Sequence, residues 1–103
     1  MKLKIDVEKF DELQEIFVRE LAEQIRFKLA QNGITGDQLR ELTGEITFSV
    51  TSSLDDTANI VVDGVEVSPY LTFRTADEEL THCGENSYGH ELVADINKKM
   101  FSK

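Results

Sequence analysis

The chain has 103 residues, 40% of them hydrophobic, with one proline and six glycines, the size and make-up of a single folded domain (1–103) rather than a linker or a disordered tail. Its formal net charge is -9, and most of it is local: thirteen acids face only Arg40 and Arg74 between Asp37 and Asp95, residues 1–36 are close to neutral, and residues 96–103 add three lysines. Such a field repels phosphate, which makes nucleic acid and anionic membrane poor partners and a basic protein surface a good one. Cys83 is the sole cysteine, no charged start runs into an apolar leader, and no apolar run reaches membrane-spanning length, so the expected location is the reducing cytoplasm.

Leu3, Ile5 and Val7 alternate with Lys2, Lys4 and Asp6, the period of a short strand with one buried face or of a lead-in to the next element. From Asp6 or Val7 the spacing lengthens to Phe10, Leu13, Phe17, Leu21, Ile25 and Leu29, which predicts a long amphipathic helix capped by Asp6 and closed by Asn32-Gly33, with Ile34 folding back. Ile16 and Phe27 fall off that stripe. They are covered by another segment or belong to a contact between two copies of the chain.

Thr35 and Gln38 have the spacing of a capping box, opening a short helix with Leu39 and Leu42 that ends at Gly44. Ile46, Phe48 and Val50 then alternate with Thr47, Ser49 and Thr51, the clearest strand pattern in the chain, and put Thr47, Ser49, Thr51 and Ser53 on a face expected to be solvated, the alternative being a surface that meets a partner. Asp55 and Asp56 mark a turn. Asp63-Gly64 between Ile60, Val62 and Val65, Val67 predicts a tight hairpin pairing Val62 with Val65 and Ile60 with Val67. The same parity carries the apolar face on to Leu71 and Phe73, with Pro69 placing the strand at an edge or a bend.

Asp77-Glu78-Glu79 leaves the sheet, and Leu80 to Gly89 reads as an irregular loop. Ser87 is placed to cap a last helix whose inner face is Tyr88, Leu92, Val93, Ile96 and Met100. The expected fold is therefore α+β: a long N-terminal helix, a short second helix, an antiparallel sheet of three or more strands and a C-terminal helix, with the helices on one sheet face.

The residues from His82 to Glu91 hold both histidines and the cysteine. Imidazole and thiolate are zinc ligands, which makes His82, Cys83 and His90 weak metal candidates, but adjacent ligands and an open spacing match no four-ligand site. The same groups could form a thiol–imidazole pair oriented by Glu91, yet the surrounding acids disfavour a thiolate. Gly84 to Gly89 lacks the lysine of a phosphate loop, and Asp55, Asp56, Asp63 and Glu66 lack calcium-loop spacing. No catalytic residue and no cofactor is assigned.

The reading that follows is a non-enzymatic interaction or inhibitor-like module. Asp55, Asp56, Asp63, Glu66, Asp77, Glu78 and Glu79 would dock a basic protein surface, with Tyr70 and Tyr88 as anchors. Two alternatives remain: an enzyme or metal protein centred on His82, Cys83 and His90, and a structural homodimer joined through Ile16 and Phe27.

Overall fold

The computed structural model describes residues 1–102. The fold is α+β. Strand β1 (Lys2–Ile5) leads into helix α1 (Val7–Gln31), and α2 (Gly36–Leu54) returns beside it. Strands β2 (Ile60–Val62) and β3 (Val65–Val67) form a separate hairpin, β4 (Phe73–Ala76) and β5 (Glu79–His82) follow, and a 3-10 turn (Gly89–Leu92) runs into α3 (Val93–Met100).

Helix α1 starts and stops where its caps dictate. The Asp6 carboxylate accepts from the Lys9 N–H at 3.1 Å. At the other end Gly33 turns left-handed (φ 87°), and the Gly33 and Ile34 amides close back on the carbonyls of Ala30 and Leu29, a Schellman ending that only glycine adopts without steric cost. The fully buried row on α1 is Phe10, Gln14, Val18 and Ala22. Leu13, Phe17, Leu21, Ile25 and Leu29, expected to be the inner stripe, flank this row and are only half-buried.

The segment read as the clearest strand, Ile46 to Ser53, is helical. It belongs to α2, which runs through Gly44 without a break. The alternation is overridden by a second pattern in the same residues. Thr43, Thr47 and Thr51 recur every four residues and form the buried row of α2, all three essentially without solvent contact. Two of the three hydroxyls are absorbed locally: Thr47 donates to the Thr43 carbonyl at 2.6 Å and Thr51 to the Thr47 carbonyl at 2.8 Å, whereas that of Thr43 is buried without a partner among the described residues. The expected solvated face is thus half core, and the apolar residues Ile46, Phe48 and Val50 are the exposed ones, at 38%, 50% and 37%.

Gly44 lies close to α3, and a Cβ there would come within 2.9 Å of the Asn97 side-chain amide. Thr35 sits at the N-cap of α2 but makes no side-chain cap bond, so the expected capping box is not formed. The helix ends at a second Schellman turn, with Asp56 at φ 62° and the Asp56 and Thr57 amides bonded to the carbonyls of Ser53 and Ser52.

The three-stranded sheet has the order β1-β5-β4. It is mixed, with β1 parallel to β5 (Leu3 opposite Leu80) and β4 antiparallel to β5. The segment expected as a loop after Leu80 therefore begins as a strand, with Thr81 buried. Phe73 carries the sheet onto α1, its ring 5.2 Å from Phe10 and 6.0 Å from Phe17 between centroids. On the other side of α1, Val93 and Ile96 of α3 close on Val18 and Ala22. Ser87 does not cap this last helix. No helix among the described residues is long and apolar enough to cross a membrane.

Candidate functional site

Asp63-Gly64 makes the hairpin turn that its sequence predicts. Both residues have positive φ, 51° and 77°, and Val62 pairs with Val65 and Ile60 with Val67. The expected continuation of one apolar face to Leu71 and Phe73 breaks at Ser68-Pro69, where regular pairing stops and Phe73 joins the other sheet. The consequence is a hairpin whose strands pack on each other and on no other helix or strand to any extent. Its base is tied down by the Asn86 side-chain amide, which donates to the Pro69 carbonyl at 3.2 Å. Val61, Val62, Val65 and Val67 are 46–63% exposed, with Asp63 at the tip and Glu66 opposite Val61.

Among the acids expected to form a docking face, Asp63, Glu66, Asp77 and Glu78 are exposed, and Asp56 and Glu79 are half-buried. Glu79 also accepts from the Thr75 hydroxyl at 2.6 Å. Asp55 leaves this set. It is 3% exposed, and its carboxylate is the hub of an interior cluster: Oδ1 accepts from the Ser87 hydroxyl, and Oδ2 accepts from the His90 backbone N–H at 2.8 Å and from His90 Nδ1 at 2.5 Å. The end of α2 is thereby fastened to the approach to α3.

This cluster shares its residue types with a hydrolytic triad but differs in wiring. The carboxylate sits between serine and histidine, so the Ser87 hydroxyl donates to Asp55 and is not held by the ring that would deprotonate it. His90 presents Nδ1–H to Asp55 and lays its ring edge-on to Phe48, with centroids 5.9 Å apart. The geometry serves to join two elements.

The remaining candidates are separated by their partners. His82 Nδ1 accepts from the Gly84 N–H at 3.2 Å and lies 2.7 Å from the Tyr70 hydroxyl; an amide can only donate, so the ring hydrogen is on Nε2 and Tyr70 donates too. Cys83 is buried, its thiol aimed at the Glu85 carbonyl 3.0 Å away. Among the described residues no three histidine, cysteine or acidic side chains converge on one point. Tyr88 packs its ring 6.5 Å from Phe10 while its N–H donates to Gln14 Oε1 at 2.8 Å, which makes it a packing residue. Tyr70 remains 45% exposed.

Ile16 and Phe27 are exposed, at 41% and 59%, and helix geometry puts them on the side of α1 opposite Val18. The apolar surface that sequence reasoning missed is on α2. Leu39, Leu42, Ile46 and Val50 follow helical spacing of three, four and four, a signal hidden by the stronger alternation of the same stretch. No known protein family, curated protein sequence or solved structure matches this chain.

Proposed function

We propose that the chain is a non-enzymatic interaction module of the cytoplasm that sets its β2–β3 hairpin and acidic turns against a basic protein surface with an apolar hollow. The observation that carries this reading is the hairpin. Two strands alone are marginal in water, yet this pair projects valines on both faces and leaves them uncovered. Burying such side chains is worth about 1.5–3 kcal/mol each when complete, an adequate source of affinity for a small interface. Charge supplies selection and speed, because the surrounding segment is the acidic part of the chain and steers a basic partner into contact. The lone, buried Cys83 is in keeping with a reducing compartment.

The test is capture from the native lysate at low and at moderate salt, with wild type, Val62→Ser/Val65→Ser and Asp63→Lys/Glu66→Lys run in parallel. The expected result is a stoichiometric basic protein that the valine variant loses at both salt concentrations and the charge variant loses most at low salt. A partner retained equally by all three proteins would show that the hairpin is not the docking element.

A further inference from the structure

A different surface concerns self-association. The accessible surface of the chain is 6972 Å², whereas a compact monomer of 11.7 kDa exposes roughly 5900 Å². Its radius of gyration is 15.4 Å, against about 13 Å for a compact domain of this length. The excess is on the order of 1000 Å², and each partner in a standard stable interface contributes about 800 Å².

Part of that excess is the hairpin, and part lies along the helical pair. Phe73 covers only the first half of α1, through Phe10 and Phe17, and α3 covers the opposite flank through Val93 and Ile96. The second half of α1 and the middle of α2 are left with an open groove lined by Leu21, Ile25, Leu29 and Ile46, with Gln24 and Lys28 on its rim. Helix geometry continues the apolar stripe of α2 to Leu42 and Val50. This face carries one charge, Lys28, in a chain of -9.

We propose that this groove is covered by the same groove of a second copy, so that α1 and α2 of two chains form a four-helix layer. The charge distribution selects the occupant. The groove lining holds one cation and no acid, so it offers nothing to the basic partner favoured by the acidic turns, whereas a two-fold pairing of this face with itself brings apolar residues together. Ile16 and Phe27 are less suited to the role, being eleven residues apart with Arg19, Glu20 and Glu23 between them.

Sedimentation equilibrium across nanomolar to micromolar concentrations provides the test. The wild type is expected to reach twice the 11.7 kDa chain mass. Ile46→Asp is expected to be monomeric with an unchanged helical circular dichroism spectrum. Ile46→Thr, a milder change at a partly exposed position, keeps the question open to refutation should the aspartate variant unfold; it is expected to raise the dissociation constant about tenfold or more. Val62→Ser on the hairpin is expected to dimerise like wild type. A wild type that is monomeric throughout, a dimer indifferent to Ile46→Thr, or a dimer lost on Val62→Ser would each overturn the proposal.

Discussion

The chain contains two kinds of apolar surface, and the helical half and the hairpin use it in opposite ways. In the helical half, polar groups are drawn inside: Gln14, Thr43, Thr47, Thr51, Asp55 and Ser87 are all buried, and most bond across elements or to their own helix. In the hairpin, valines are turned outside and touch little but each other. Hydrogen bonding gives the first region a defined arrangement from few apolar residues, whereas the second has a defined register from its turn alone. Stability therefore resides in the helices, with little contribution from the hairpin.

Removing the hub of the helical half tests this division most severely. Asp55→Ala takes away an acceptor used by the Ser87 hydroxyl and twice by His90, leaving buried donors without partners. The expected loss is about 3 kcal/mol, read as a fall in urea midpoint at fixed protein concentration. A loss near zero would mean that the end of α2 does not depend on this carboxylate.

A smaller effect of opposite sign is expected within the threonine row. The Thr43 hydroxyl is buried without a partner, whereas those of Thr47 and Thr51 are bonded. Thr43→Val deletes an unsatisfied group at nearly constant volume and should stabilise by about 1 kcal/mol; Thr47→Val, which forfeits a bond, should gain less. Equal gains at the two positions would erase the distinction between them.

The smallest effect belongs to the hairpin. Val62→Ser/Val65→Ser exchanges side chains that are 62% and 63% exposed and should shift stability by less than about 0.5 kcal/mol. A large loss would show that the hairpin is part of the cooperative unit, contrary to the division drawn here.

How much of this was legible depended on whether local and tertiary preferences agreed. At α1 they did: Asp6, the four-residue spacing and Asn32-Gly33 mark its ends, and both caps form. At the hairpin they did as well, since Asp63-Gly64 imposes its own register. They conflicted over residues 46–53. The alternation and the β-branched residues favour a strand, but the short 32–35 connection brings this stretch back along α1, where a helix puts Thr43, Thr47 and Thr51 in one buried row. The interior role of Asp55 was also hidden, because its partners lie 32 and 35 residues away, and neighbouring Asp56 made the pair look like an ordinary exposed turn. The parallel pairing of β1 with β5 joins the start of the chain to residues 79–82 and carries no local signature.

The threonine-rich second half of α2 also bears on how the molecule fails. From Ile46 to Leu54 it contains no charge, no proline and no glycine, and its residues alternate as a steric zipper requires. Held as a helix against α1, this stretch keeps its backbone donors occupied. Once α1 and α2 separate, the same residues become an unguarded template for intermolecular β-pairing, so thermal unfolding should pass into thioflavin-positive aggregate.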